Sequence, residues 1–195
     1  MGRWFLALKR AADVVISLWL LAVLALPMLI VAVLIRCETP GRAIFCQKRI
    51  GRDLKPFTVL KFRTMHVGVP PMLCSSELFG EMRGRSVTRI GRFLRRTGLD
   101  ELPQLLNVLY GDMSLIGPRP LIAREGSMHA LRAMLGATAI RPGITGLAQV
   151  MGRDDSGDGA KAYYDALYAR YASPAMDARI LFSTVRVLLS GEGSN

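Results

Sequence analysis

Residues 97–120 read TGLDELPQLLNVLYGDMSLIGPRP, with two adjacent acids, Asp100 and Glu101, ahead of an apolar run. Leu102, Leu105, Leu106 and Leu109 recur at helical spacing, which predicts a helix with one buried face. Proline is tolerated only in a first turn, so Pro103 sets the helix start near Asp100, and Gly111 sets the stop. Asp100 then meets unpaired backbone N–H groups and the positive end of the helix dipole, both of which favour an ionised carboxylate. Arg92, Arg95 and Arg96 add positive charge just upstream. Such a carboxylate suits a nucleophile that approaches a phosphate. The same two acids also serve as an ordinary helix cap and its neighbour, and the residues alone leave both readings open.

Upstream of this stretch, Val14 to Ile35 is apolar apart from Ser17 and Pro27. As a straight helix these residues extend roughly 33 Å, enough to cross a bilayer. Arg3, Lys9 and Arg10 precede the run, and Arg36, Arg42, Lys48, Arg49 and Arg52 follow it. The positive-inside rule therefore draws both ends to the cytosol. Pro27 removes one backbone hydrogen bond and is the expected membrane break. A single-pass and a re-entrant course both remain open on the residues alone.

The 195 residues suit one domain and carry a formal charge of +11, which points to polyanionic partners such as lipid headgroups, nucleic acid or phosphorylated substrates. Cys37, Cys46 and Cys74 have no CxxC spacing, which fits reduced thiols rather than a disulfide framework. Residues 43–49 (AIFCQKR) and 57–64 (FTVLKFRT) predict a hairpin. In its second strand Lys61 and Arg63 share a face opposite Leu60 and Phe62. That pair reads either as a solvated face or as a basic wall for a diphosphate. Residues 66–78 predict a loop.

Residues 82–96 predict a basic amphipathic helix, with Arg85, Arg89, Arg92 and Arg96 on one face and Val87, Ile90 and Leu94 on another. It fits an anionic membrane surface, or nucleic acid phosphates. Arg119, between Pro118 and Pro120, is a rigidly presented guanidinium suited to phosphate. The glycines of the loop from Arg141 to Gly146 allow close backbone approach to a ligand. Tyr163, Tyr164, Leu167 and Tyr171 form a stripe on a helix over 160–171, and a final helix follows Ser173 and Pro174.

KFRTM (61–65), DELPQL (100–105), GDMSLIGPRP (111–120) and RPGITGLAQV (141–150), in that order, resemble the bacterial sugar transferases, also called monotopic phosphoglycosyl transferases. The resemblance runs nearly end to end and is to the small form made of the catalytic domain alone. It implies an α+β, mainly helical fold. Residues 1–36 would form a broken re-entrant membrane helix, and 37–195 a cytosolic domain carrying a short hairpin and interfacial helices. It implies transfer of a sugar-1-phosphate from a UDP-sugar to undecaprenyl phosphate, starting a membrane-linked glycan at the cytosolic face of the inner membrane.

By the same resemblance Asp100 and Glu101 are the catalytic residues and the holders of Mg²⁺ or Mn²⁺. Lys61, Arg63, Arg95, Arg119, Arg141 and Gln149 bind substrate and phosphate. Anionic lipids, and downstream glycosyltransferases, are expected partners; nucleic acid is not. A membrane-anchored basic scaffold or nucleic-acid-binding protein is the alternative from a different class.

Overall fold

The computed structural model describes residues 3–68, 86–151 and 157–190. Helix α1 (Arg3–Glu38) runs 36 residues with Pro27 inside it. It is helical on both sides of the proline and through it. The stretch Trp4–Glu38 reaches a mean hydropathy of 2.9 and is long and apolar enough to cross a membrane. Much of its apolar surface is bare, including Trp19, Leu26 and Leu29.

One stripe of α1 is covered along almost its whole length. Asp13 and Ser17 are buried near its start, Leu20 and Leu21 pack on the main core, and Met28, Val31, Ala32 and Ile35 build a second cluster with Phe62 and Leu94. Both ends of the helix are also bonded to the rest of the chain. Near the start, Lys9 reaches Asp177 at 2.9 Å and Arg10 donates to the carbonyls of Val108 (2.6 Å) and Leu109 (3.0 Å). Asp13 accepts the backbone N–H of Leu115 at 3.2 Å. At the far end, the Glu38 carboxylate accepts the N–H groups of Arg89 (2.6 Å) and Ile90 (3.0 Å).

Strands β1 (Ile44–Ile50) and β2 (Pro56–Phe62) form the expected antiparallel hairpin, with Cys46 opposite Leu60 and Gln47 opposite Val59. Asp53 and Leu54, in the turn, both take positive φ (54° and 59°). That hand of turn matches the twist of the strands it joins. Helix α2 (Arg89–Thr97) starts at the Thr88 cap, whose hydroxyl accepts Gly91 N–H. It buries Leu94 and leaves Arg92 and Arg96 exposed, as its amphipathic pattern predicts. Residues 82–85, including Arg85, lie outside the described residues, as does the expected loop from residue 69 onward.

The central helix differs from expectation. Leu99–Glu101 is a single 3-10 turn, and helix α3 begins only at Gln104 and ends at Tyr110. Asp100 and Glu101 therefore precede the helix instead of starting it. The buried residues of α3 are Gln104, Leu105, Asn107 and Val108, while Leu106 and Leu109 are only half-buried. Leu105 and Val108 join Val59, Met113, Leu115, Ile116, Tyr168 and Ile180 in the main core. Burying each such side chain contributes about 1.5–3 kcal/mol.

Two short parallel strands, β3 (Ser114–Ile116) and β4 (Gly143–Thr145), join the loops that follow α3. A side chain on Gly117 would strike the Arg141 carbonyl and one on Gly146 the Gly117 carbonyl. These glycines thus let two loops press together, whereas the sequence pattern reads as room for a ligand. Helix α4 (Gly126–Met134), the short α5 (Leu147–Met151), α6 (Asp158–Tyr171) and α7 (Pro174–Ser190) complete the domain. In α6 the buried stripe is Ala162, Asp165 and Tyr168, while Tyr163 and Tyr171 of the tyrosine stripe are exposed.

Candidate active site

A small cleft, about 250 Å³ including its open mouth, is lined by Arg49, Val59, Lys61, Glu101, Gln104, Arg119, Pro120, Gly143 and Ile144. Its walls come from three places: the inner face of the hairpin, the turn and helix after Gly98, and the two interlocked loops. Strand pairing places Gln47 opposite Val59 and Arg49 opposite Phe57, so Arg49, Val59 and Lys61 share one face of the hairpin.

Charge is concentrated on one carboxylate oxygen. Lys61 Nζ lies 2.6 Å from Glu101 Oε1, and Arg119 Nη1 lies 4.0 Å from the same atom. Glu101 Oε2 accepts no bond from the described residues. Burial acts to raise the pKa of Glu101, but Lys61 and Arg119 outweigh it and hold the carboxyl below its ordinary value. Asp100 goes the other way. Burial raises its pKa and the neighbouring Glu101 charge adds to the rise, against the pull of Lys61 and Arg95. Adjacent carboxyls thus move apart, Glu101 below its ordinary value and Asp100 above, a division that assigns different roles to the two members of an acid pair.

The loops of the cleft are clamped from behind. Arg49 donates to the Pro120 carbonyl (3.2 Å) and holds Gln47 Oε1 through Nε and Nη2. Arg132 donates to the Arg119 carbonyl (2.8 Å) and pairs with buried Asp165. The backbone on either side of the Arg119–Pro120 bond is therefore held from two elements, β1 and α4. Asn107 fixes the other wall: its side chain donates to Thr58 O (2.7 Å) and accepts Leu60 N–H (3.0 Å), pinning β2 beside α3.

The expected site residues separate into two groups. Lys61, Glu101 and Arg119 meet in the cleft; Asp100, next to Glu101 in the same turn, does not line it but feels the charge of Lys61. Arg95, bonded to Thr64 through Nε at 2.9 Å, lies within electrostatic reach of Asp100. Arg63, Arg141 and Gln149 do not line it. Arg63 donates to the carbonyls of Pro40 and Thr39 and to the Thr39 hydroxyl. Arg141 donates to the Gly111 carbonyl at 2.8 Å, close enough to Arg10 and buried enough for its pKa to fall. Gln149 donates to the carbonyl of Ile144, behind the cleft wall. Arg49 and Gln104 are cleft residues that the motif reading did not single out as site residues.

Residues 4–191 match a family model described as bacterial sugar transferase. The exopolysaccharide production protein PSS of Rhizobium leguminosarum bv. phaseoli is 43% identical over 192 residues, 92% of this chain and 94% of that one. A UDP-glucose:undecaprenyl-phosphate glucose-1-phosphate transferase of Caulobacter vibrioides is 46% identical over 146 residues, 74% of this chain and 54% of its own. A UDP-galactose-lipid carrier transferase of Erwinia amylovora is 38% identical over 199 residues, 96% of this chain and 41% of its own. The chain spans about two-fifths of the length of several such relatives. None of these similarities supports the scaffold or nucleic-acid-binding alternative.

Proposed function

The chain belongs to the bacterial sugar transferase family, and from that premise we propose that it moves a sugar-1-phosphate from a UDP-sugar to undecaprenyl phosphate and releases UMP. The observation that carries this reading is the meeting of Glu101, next in sequence to Asp100, with Lys61 and Arg119 from separate segments. It combines a carboxylate pair with cations able to hold phosphoryl oxygens.

In the first half-reaction an Asp100 carboxylate oxygen attacks the β-phosphorus of the UDP-sugar. The bond from that phosphorus to the bridging oxygen breaks, and UMP leaves with the electron pair. The sugar-phosphate is then held on Asp100 as an acyl phosphate. In the second, an oxygen of undecaprenyl phosphate attacks the same phosphorus, the acyl phosphate bond breaks and the carboxylate is regenerated. Splitting one transfer into two predicts ping-pong kinetics. A raised pKa makes Asp100 the better nucleophile of the two acids once it is ionised. Lys61 and Arg119 offset charge on the non-bridging oxygens, where it builds up in the transition state.

Asp100 and Glu101 are also the residues that would hold Mg²⁺ or Mn²⁺. Carboxylates at consecutive positions, with Glu101 Oε2 left open, fit a hard cation that takes its other ligands from substrate phosphates and water. When bound, such an ion supplies further neutralisation of phosphate charge.

The membrane course we infer is re-entrant, with α1 entering and leaving the cytosolic leaflet. Its support is that Lys9, Arg10 and Asp13 at one end, and Glu38 at the other, are bonded to the same domain. A spanning helix separates its ends by the roughly 30 Å hydrocarbon core, where exposed backbone polar groups are not tolerated. The exposed apolar side of α1 and the exposed arginines of α2 suit a leaflet and its anionic headgroups.

The test is UMP release from a panel of UDP-sugars by detergent-purified protein with undecaprenyl phosphate and Mg²⁺. Release with a defined sugar supports the reading; none from any donor by folded protein refutes it.

A further inference from the structure

Gln104 and Asn107 lie about one turn apart on α3 and are only 2% and 1% exposed. A buried amide without partners costs roughly 1–3 kcal/mol. Asn107 avoids that cost through Thr58 and Leu60. Gln104 does not: its side chain makes no hydrogen bond to any described residue. It lines the cleft beside Lys61, Glu101, Arg119 and Arg49. Its amide is not among the sealed, partnerless polar atoms of the interior, so it is turned to the cleft, where an apolar residue of the same size such as methionine would offer no hydrogen bond.

We propose that the Gln104 side-chain amide is a substrate contact, donating an N–H to a phosphoryl oxygen held in the cleft. The ligand class follows from the surroundings. Among the described residues three cations line the cleft, and the one carboxylate there is bonded to Lys61 through Oε1. An oxyanion is the acceptor such a setting favours. The amide adds a neutral donor whose direction is fixed by the packed base of α3, so it selects geometry where the flexible cations supply charge. Which substrate carries the oxygen, the nucleotide diphosphate or the lipid phosphate, rests on the transferase reading; that the amide meets an oxyanion does not.

The test uses Gln104→Met and, as a second apolar variant, Gln104→Leu. Thermal unfolding is read without ligand, UDP affinity by calorimetry, and kinetics with both substrates. The expected result is that Gln104→Met melts at or above the parent while UDP affinity and donor kcat/KM fall about 10- to 100-fold, the size of a lost hydrogen bond to a charged group. Unchanged UDP affinity with a tenfold higher KM for undecaprenyl phosphate assigns the contact to the acceptor and also supports the proposal. Unchanged affinity and KM for both substrates in either folded variant overturns it. Melting more than 5 °C (about 2 kcal/mol) below the parent in both variants overturns it too, because the amide would then be holding the fold. A parent that binds UDP through Gln104 but transfers nothing refutes the enzyme reading and leaves this contact standing.

Discussion

Asn107→Leu is expected to unfold the protein at a markedly lower temperature and to disturb the cleft with it. The substitution strands two backbone groups on the inner edge of β2, Leu60 N–H and Thr58 C=O, which the amide now holds at 3.0 and 2.7 Å. Each stranded group costs about 1–3 kcal/mol, partly offset by the extra apolar burial of leucine, for a net loss of about 2–4 kcal/mol. In a chain of this length each kcal/mol moves Tm by about 2–4 °C, so the drop is about 5–15 °C. Because Lys61 follows Leu60, the edge that slips carries the cation bonded to Glu101, and donor kcat/KM falls as well.

Asn107→Asp refines the test. Protonated, an aspartic acid reproduces the amide, with O–H donating to Thr58 O and C=O accepting Leu60 N–H. Ionised, it aims an anion at a carbonyl. Its folded pKa therefore lies above its unfolded one, so the variant's deficit is greatest above the folded pKa and shrinks as pH falls toward the unfolded value. Thermal unfolding in detergent across a pH series reads both. A Leu variant within 1 °C of the parent (below about 0.5 kcal/mol), or an Asp deficit indifferent to pH, refutes the reasoning.

Asp100→Asn loses turnover by at least about 10³-fold yet melts at or above the parent at neutral pH. A carboxyl whose pKa is raised by folding costs stability once ionised, and the amide removes that cost; steady-state rates and a melt of the same sample check both. The acid limb of kcat/KM lies above the ordinary aspartate value of 3.8, and Lys61→Met moves it to higher pH, because Lys61 now pulls the Asp100 pKa down; a pH–rate series compares the two proteins. Arg119→Met lowers donor kcat/KM about 10- to 100-fold, whereas Arg63→Met changes it less than about threefold and instead lowers Tm, since Arg63 ties Thr39 and Pro40 to β2.

Local pattern made the hairpin, the basic helix and the acidic pair legible, because alternation and helical spacing report directly on which face is buried. The phase of α3 was not legible. Its buried face includes Gln104 and Asn107, and what satisfies Asn107 is the edge of β2, 49 residues away for Thr58. Arg49 became a cleft residue only through the strand register, which no single strand displays. Lys61 and Arg63 part company because Lys61 meets Glu101 while Arg63 is taken up by the carbonyls of Thr39 and Pro40, a segment far from it in sequence. Arg141 was legible as a cation next to a glycine-rich loop, but the Gly111 carbonyl turns it away from the cleft. The order of motifs carried the family assignment where periodicity had nothing to say.

The central claim, that Asp100 carries the transferred group, is met most directly by intact-protein and peptide mass measurement. The protein is incubated with its UDP-sugar and Mg²⁺ but no acceptor. The account predicts a mass gain equal to one sugar-phosphate on the peptide holding Asp100, absent from Asp100→Asn and discharged on adding undecaprenyl phosphate. Full turnover by Asp100→Asn, or an adduct on a different residue, would contradict it.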